Sequence, residues 1–239
     1  MSCSGEIDEE LLSHLRRFDT PTIYNALEIA TGGQRATGFT RRTMVTPFPL
    51  LPPIFGFART ALLRSAAPSS RDAADLRALR IAYYDYVAAT NCPTVVVTQD
   101  LDHDVGLGAF WGEVNSTVHR ALGCAGVVTN GAVFDLDVLA DGFPIIAGCI
   151  APSQAFVRIE SFGGDVDVFG MQVSDGDLIH GDRHGAVRIE RGAAAKLPHA
   201  IEVIIAREKL ILEAAAQPGF GIEAIRQAWR MATTFISLV

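Results

Sequence analysis

A buried strand placed between helical segments is the feature that most limits the folds open to this chain. Residues 94–98 read Thr-Val-Val-Val-Thr, and such a run of β-branched residues is typical of a strand covered on both faces. In the preceding residues 72–89, apolar side chains such as Leu76 and Tyr83 recur at helical spacing, and Asn-Cys-Pro at 91–93 separates the two segments. The order predicts an α/β fold with a parallel or mixed sheet.

The same alternation continues along the chain. The predicted elements are a helix from about residue 109 to 122, a strand over 126–129, a short helical turn over 135–140 and a strand over 144–147. Strands that alternate with helices favour a largely parallel sheet, whose helices cover its faces. The ends of these strands are therefore the places to search for a ligand site.

The N-terminal segment predicts two short helices. Leu11, Leu15 and Phe18 recur at near-helical spacing, and Thr20-Pro21 offers an N-cap followed by proline at the first helical position. Four prolines within residues 43–53 then exclude regular helix or central strand. We expect a surface connection there, or alternatively a linker, leading into a strand over residues 55–65.

The pattern changes after Pro152. Short strand-like runs separated by turns lie at residues 155–160, 166–173, 178–180 and 186–190, which predicts a sheet of β-hairpins. Apolar residues then recur at helical spacing from Leu197 to Leu212 and again from Ile222 to about Phe235. We expect the last helix to protrude and to serve an oligomer contact.

Size and charge limit the classes of function. A chain of 239 residues with 49% hydrophobic residues can bury a core as one large domain, or as one domain with terminal extensions. A net charge of −7 and a pI near 5.3 disfavour binding to nucleic acid or to anionic lipid through a general field. An anionic substrate must therefore be held by local groups.

The cysteines and the N-terminal residues indicate in which cellular compartment the protein is expected. Cys3, Cys92, Cys124 and Cys149 lie far apart without a Cys-x-x-Cys pair, so we expect reduced thiols. Residues 1–10 carry four acidic side chains and no apolar run, which is unlike a signal or transit peptide. The longest uncharged apolar runs have the length of strands, which argues against a membrane span. These features predict a soluble cytoplasmic protein.

Two carboxylates at a fixed spacing form the candidate site. Glu113 follows Gly112 at the start of a predicted helix, and Asp135 follows a predicted strand and Gly131, twenty-two residues after Glu113. Carboxylates that meet in one pocket repel, and a hard divalent cation such as Mg²⁺ or Mn²⁺ relieves that repulsion while keeping several waters. The unpaired backbone N–H groups of the 112–115 turn would receive a substrate carboxylate.

Simpler roles explain the same residues. Asp135 would cap the short helix after the strand, and Glu113 would favour the helix dipole without any metal.

An acidic cluster follows the strand at 94–98 and consists of Asp100, Asp102, His103 and Asp104. In isolation it resembles a metal site, but a solvated loop is the favoured interpretation. Asp102 or Asp104 would then be outer partners of the site.

A second polar group contains two histidines. His180 and His184 flank Asp182 between two predicted strands. This spacing places the histidines on opposite sides of a hairpin loop. We therefore interpret the segment as a turn and not as a pair of metal ligands.

The central motif resembles the signature of the RraA-like family, which includes class II 4-hydroxy-4-methyl-2-oxoglutarate aldolases and regulators of ribonuclease E. That signature is an acidic residue, twenty others, and then Arg-Asp. Further segments that resemble the family, in the same order, are residues 18–27, 142–147, 176–179 and 182–187. The resemblance covers about residues 18–210 of a single domain spanning 1–239, and leaves a helical extension over about 211–239.

The resemblance implies a swivelling β/β/α-type fold, with a parallel or mixed sheet flanked by helices and followed by C-terminal helices. It also implies a homotrimer or homohexamer with active sites near subunit interfaces. The implied activity is metal-dependent retro-aldol cleavage of a small 2-oxo acid to release pyruvate, or decarboxylation of oxaloacetate. By position, Asp135 is the carboxylate nearest the metal and Glu113 supports its water. The backbone around Gly112 to Val114 matches the loop that binds the pyruvate carboxylate.

Phe134 departs from the family signature because it occupies the position of the arginine. A guanidinium there would hold the substrate and offset developing negative charge, whereas phenylalanine does neither. Three interpretations stay open: a weak aldolase, a related metal enzyme for another substrate with Phe134 lining the pocket, and a noncatalytic binding protein like the ribonuclease regulators. A replacement cation would come from Arg59, Arg158 or Arg183, or from a neighbouring subunit.

Overall fold

A computed structural model describes residue 7 and residues 9–33 and 37–236 of the chain. The helices are α1 (Glu9–Leu15), α2 (Thr20–Ala30), α3 (Ala73–Ala88), α4 (Glu113–Ala121), α5 (Arg191–Ala194), α6 (Leu197–Ala215) and α7 (Ile222–Ile236), with a 3₁₀ turn over Leu136–Val138. The strands are β1 (Ile54–Arg64), β2 (Thr94–Asp100), β3 (Ala109–Trp111), β4 (Cys124–Thr129), β5 (Ala132–Val133), β6 (Ile145–Ile146), β7 (Cys149–Ile150), β8 (Arg158–Phe162), β9 (Val166–Val168), β10 (Met171–Val173), β11 (Leu178–Asp182) and β12 (Gly185–Ile189).

A mixed seven-stranded sheet forms the centre of the fold. Its order is β12-β11-β1-β2-β4-β6, and β8 pairs with the end of β1. β1, β2, β4 and β6 are parallel, whereas β8, β11 and β12 run antiparallel to their neighbours. The predicted α/β class with a parallel or mixed sheet is confirmed.

The β-branched run at residues 94–98 is buried on both faces, as predicted. Val95 and Val97 pack into a cluster with Met171 on one side of the sheet. Val96 points to the other side, into a cluster that contains Tyr83 and Trp111. Successive valines therefore contact opposite layers, which is why the three valines are consecutive and do not alternate with polar residues.

The N-terminal helices form as predicted, but the cap differs. Asp19, and not Thr20, is the N-cap of α2, because its carboxylate accepts a hydrogen bond from the Thr22 N–H. Thr20 instead donates its backbone N–H to Asp182. α1 and α2 pack with α6 over one face of the sheet. Residues 43–53 form the predicted surface connection, with one isolated bridge at Val45.

Three short strands were not predicted. Residues 109–111 form β3, so the helix expected from about residue 109 begins only at Glu113. β3, β5 and β7 make a separate parallel sheet in the order β3-β5-β7. Strands of two or three residues are too short for alternation to be readable in a sequence. The sheet of β-hairpins expected after Pro152 is divided between two sheets: β9 and β10 pair alone, whereas β8, β11 and β12 join the central sheet.

The thiol prediction holds for two of the four cysteines. Cys124 and Cys149 are free. Cys92 is disulfide-bonded, so the expectation of a reduced thiol is wrong there. Cys3 lies outside the described residues.

No helix among the residues described is long and apolar enough to cross a membrane.

Candidate functional site

The pairing of β3 with β5 brings the two halves of the central motif together. The strands are parallel, with Ala109 opposite Ala132 and Trp111 opposite Val133. The Phe134 N–H continues the ladder by donating to the Trp111 carbonyl at 2.9 Å. Both strands therefore end at the same edge of the small sheet, which is where ligands collect in such folds.

Gly112 is in direct contact with the other half of the motif. It is the N-cap of α4 and has an extended backbone, with φ −154° and ψ −162°. A Cβ on Gly112 would collide with Phe134 Cε1, and would lie 2.7 Å from Phe134 Cδ1 and 2.9 Å from Asp135 Oδ2. The Phe134 ring and the Asp135 carboxylate thus lie against the start of α4, of which Glu113 is the first residue.

Asp135 is exposed and has an unusual backbone. Its φ of 55° and ψ of 41° place it in the left-handed region, which Asp and Asn tolerate better than most residues. Asp135 occupies the N-cap position of the 3₁₀ turn. Its side chain nevertheless makes no capping hydrogen bond to that turn, whose residues are all described. A capping role does not explain this carboxylate.

The first turn of α4 is open at the same edge. Gly112 has no side chain to cap the helix, and Glu113 and Val114 are exposed. Ser116 Oγ accepts a hydrogen bond from the Ala140 N–H at 3.0 Å and thereby fixes the segment after the 3₁₀ turn to α4. As the acidic residue in the first turn of α4, Glu113 also interacts favourably with the helix dipole.

A buried histidine supports this turn. His119 Nδ1 lies 2.6 Å from the Asn115 carbonyl and Nε2 lies 2.8 Å from the Tyr83 hydroxyl. The carbonyl only accepts, so Nδ1 carries the proton and Nε2 accepts from Tyr83. Burial lowers the pKa of His119 to about 4, and the ring is neutral at pH 7. The Trp111 ring packs on it with centroids 4.7 Å apart.

Asn115 connects the turn to α3 and to an arginine that the sequence analysis missed. Its Nδ2 donates to the Phe110 carbonyl at 2.6 Å, and its Oδ1 accepts from the Tyr84 hydroxyl at 3.1 Å. Arg80 Nη1 lies 3.5 Å from the same Oδ1. Arg80, Tyr83 and Tyr84 are spaced i, i+3, i+4, so their shared helix face was the available signal.

Asp102 holds a loop together and does not face solvent. Its carboxylate accepts from the Ser65 N–H, from Ser65 Oγ at 3.0 Å and from the Ala66 N–H at 2.7 Å. Burial raises the pKa of Asp102, but these hydrogen bonds outweigh burial and the pKa lies below its usual value. Arg64 adds an ion pair at 3.5 Å. The oxygens are thus already engaged by the protein.

Asp100 is likewise structural. It accepts the backbone N–H groups of Asp102 at 3.0 Å and Gly106 at 2.8 Å, and burial raises its pKa. The prediction of a solvated loop is therefore wrong for Asp100 and Asp102, because these carboxylates satisfy buried backbone donors. It holds for His103 and Asp104, which are exposed.

The histidine-rich segment is the turn that was predicted. Asp182 accepts from the Thr20 N–H at 2.9 Å and from the His184 N–H at 2.8 Å, and so joins the hairpin to α2. His180 is buried, with Nδ1 3.1 Å from Thr20 Oγ1. Burial lowers the pKa of His180 to about 4. The two histidines do not share a site.

Two of the three arginines considered as replacements for the arginine of the family signature form ion pairs with other carboxylates, and the third is exposed. Arg59 is buried and pairs with Asp175 at 3.0 Å. Arg158 pairs with Glu160 at 2.6 Å. Arg183 is exposed in the turn between β11 and β12.

The side chains at the β3–β5 edge limit which metal ion could bind there. Across residue 7 and ranges 9–33 and 37–236, no three His, Cys, Asp or Glu residues group in a way that would hold an ion. A structural zinc site needs four such ligands. Mg²⁺ and Mn²⁺ are held by one or two carboxylates, and water completes the shell. Asp135, with Glu113 beside Gly112, fits an ion of that kind.

Comparison with known proteins identifies the family. The model of the RraA-like family, described as Aldolase/RraA, matches residues 20–188. The chain belongs to the RraA-like family. None of the curated proteins matches the sequence.

Solved structures agree on the fold. An uncharacterized protein from Pseudomonas syringae pv. tomato is 20% identical with a TM-score of 0.68, and the match covers 94% of each chain. Streptomyces coelicolor RraAS2, an unusual member of the RNase ES inhibitor RraA protein family, is 20% identical with a TM-score of 0.64, covering 88% of this chain and 98% of its own. A protein described among novel cellulases from gut-associated microbes is 18% identical with a TM-score of 0.65, covering 87% and 90%. At these identities the likeness shows the fold alone.

Proposed function

We propose that this RraA-like protein is a divalent-metal-dependent carbon–carbon lyase that cleaves a 4-hydroxy-2-oxo acid, or decarboxylates oxaloacetate, to release pyruvate. One observation supports the proposal above the others. The Asp135 carboxylate lies against Gly112 at the open start of α4, and capping hydrogen bonds do not account for it. Its position matches the family carboxylate nearest the metal.

Each residue at this edge has a role in the proposed reaction. Asp135 would hold Mg²⁺ or Mn²⁺, and the backbone N–H groups of residues 113–115 would bind the carboxylate of the 2-oxo acid. A bound cation would supply Lewis acidity for the negative charge that develops as the bond to C4 breaks. Glu113 would accept the proton of the 4-hydroxyl through a water. Return of that proton through the water to C3 would complete pyruvate, and C4 would leave as the carbonyl of the second product.

Asp135→Asn tests the proposal, because asparagine keeps the shape and tolerates the left-handed backbone but loses the charge. We expect pyruvate release, measured with Mn²⁺ and lactate dehydrogenase as the coupling enzyme, to fall at least about a hundredfold, a loss typical of one electrostatic group. Asp137→Asn is the matched control, since Asp137 is exposed two residues further along. Equal activity in Asp135→Asn and wild type would defeat the proposal.

A noncatalytic binding role is the second candidate, and Phe134 favours it. Its ring occupies the space over Gly112 and carries no charge to hold a substrate. A regulator of a ribonuclease would need no Mg²⁺ at Asp135, so calorimetry with the metal distinguishes the two functions. Phe134→Arg should raise pyruvate release about 10²- to 10³-fold if a lost donor is the only defect. An inert variant would favour the regulator, or an enzyme whose substrate packs on Phe134.

We also propose a homotrimer or homohexamer, the assembly that the family resemblance implies. α7 packs against α6 and exposes apolar side chains, among them Ile222, Trp229 and Met231. These suit the oligomer contact expected of the C-terminal helix. The mass in solution, measured by light scattering for the full chain, tests this assembly, and a monomer would contradict it.

A further inference from the structure

A cavity of about 330 Å³ lies between α2, residues 39–40 and the hairpin formed by β11 and β12. None of the described residues that line it belongs to β3, β5 or α4, so it is separate from the candidate site. Tyr24 and Phe39 line it with their rings, whose centroids are 5.4 Å apart and whose planes meet at 80°. Its volume is at the low end for small-molecule sites, so it suits a small ligand.

His184 lines the same cavity, and its ring is oriented by Asp182. His184 Nδ1 lies 3.0 Å from Asp182 Oδ1. Burial raises the pKa of Asp182, but hydrogen bonds from the Thr20 and His184 N–H groups outweigh burial and hold that pKa below its usual value. The ionised carboxylate only accepts, so Nδ1 carries a proton. In a neutral ring, Nε2 is then left as a hydrogen-bond acceptor.

The Nε2 acceptor is accessible from solvent. The His184 side chain is 41% exposed, and its ring hydrogen bond within the described part of the chain is made by Nδ1. An imidazole whose other nitrogen is fixed by a carboxylate is well placed to receive a proton donor from a ligand, because its orientation is already set.

The remaining lining of the cavity is uncharged. Ala186 and Val187 are buried apolar residues of β12, and Pro21 is apolar. Asn25 and Thr40 add polar groups, of which Thr40 Oγ1 accepts a hydrogen bond from the Ala186 N–H at 3.1 Å. Among the described lining residues there is no Lys, Arg, Asp or Glu. The lining therefore favours an uncharged ligand that is mainly apolar.

We propose that this cavity binds a small uncharged aromatic molecule that carries a hydroxyl group, such as a simple phenol. The ligand ring packs against Tyr24 and Phe39 in the offset or edge-to-face geometry that aromatic rings prefer. The ligand hydroxyl donates its hydrogen bond to His184 Nε2. Binding here involves neither Asp135 nor a metal, so the inference is independent of the proposed lyase activity.

The test compares p-cresol with toluene, which lacks the hydroxyl, in ligand-observed NMR titrations of the full chain at pH 8. We expect p-cresol to bind the wild type with a Kd below about 1 mM. His184→Ala should weaken p-cresol binding about 3- to 10-fold, as loss of one hydrogen bond does, and should leave the affinity for toluene within about twofold. His199→Ala, which removes an exposed histidine of α6, is the matched control and should behave as wild type.

A second variant locates the ligand in the cavity. Tyr24→Leu removes an aromatic ring from the wall but keeps an apolar side chain, so it should weaken the binding of p-cresol and of toluene by similar factors. Absence of p-cresol binding to the wild type would overturn the inference. An equal loss of both ligands in His184→Ala would overturn the hydrogen bond to Nε2, and unchanged binding in Tyr24→Leu would overturn the location. Pyruvate release is not measured in any arm, so failure of the lyase proposal leaves this test intact.

Discussion

Gly112→Ala should destabilise the protein through a collision and not through backbone strain. The φ of −154° is accessible to any residue, so the cost arises only from the added Cβ. That atom would overlap Phe134 Cε1 and lie 2.7 Å from Cδ1 and 2.9 Å from Asp135 Oδ2, closer than real Cβ contacts. Overpacking of this kind costs about 1–3 kcal/mol. For a chain of this length that corresponds to a Tm lowered by roughly 2 to 12 °C.

Circular dichroism melting curves measure this effect, and Gly164→Ala is the control because a Cβ there meets no atom within 4 Å. A double-mutant cycle with Phe134→Ala isolates the collision, because truncating the ring removes its two closest atoms. Gly112→Ala should cost less than half as much in the Phe134→Ala background. Equal Tm values for Gly112→Ala and Gly164→Ala, or an unchanged cost in the truncated background, would refute the contact between the two halves of the motif.

Two further predictions concern buried polar groups. The pKa values of His119 and His180 are lowered to about 4 by burial, below the unfolded value of about 6.5, so their contribution to stability is complete above pH 6.5 and is lost as the pH falls towards 4. Urea unfolding at pH 6.5 and at pH 5 measures this effect, and we expect the free energy of unfolding to fall by about 2 kcal/mol for each of the two buried histidines. The same fall is expected in the control His199→Gln, which removes an exposed histidine. A free energy of unfolding that is equal at the two pH values would contradict the burial argument. Asp102→Ala should cost about 3 kcal/mol because it leaves the Ser65 and Ala66 donors unpaired, whereas Asp104→Ala at the exposed neighbour should be near neutral in the same assay.

The longer elements were predictable because each has a clear local pattern. The β-branched run that became β2, the amphipathic α3 and the helices after Leu197 all appear within a few residues of their expected bounds. β3 and β5 were not predictable, since two or three residues carry no periodicity and are stable only as part of a sheet. The same limit produced the error at residues 109–111, where a strand precedes the helix.

The candidate site, like the fold, was predictable from the sequence only in part. Glu113, Gly112 and Asp135 were selected from their spacing and from the family signature, and the parallel pairing of β3 with β5 explains how that spacing brings the segments together. Asp100 and Asp102 were misjudged as solvated because a sequence does not show which backbone donors a carboxylate will meet. Those donors lie on residues up to 37 positions away in the chain.

The sequence by itself determined the α/β class, the family and the positions of the carboxylates, because these depend on local periodicity and on residue identity at fixed spacing. Only the tertiary structure decided which charges share the first turn of α4. Arg80 is 33 residues before Glu113, and it reaches that turn only because Tyr83 and Tyr84 on the same face of α3 bind His119 and Asn115. Contacts between distant segments follow from how helices pack on the sheet, which no local pattern encodes.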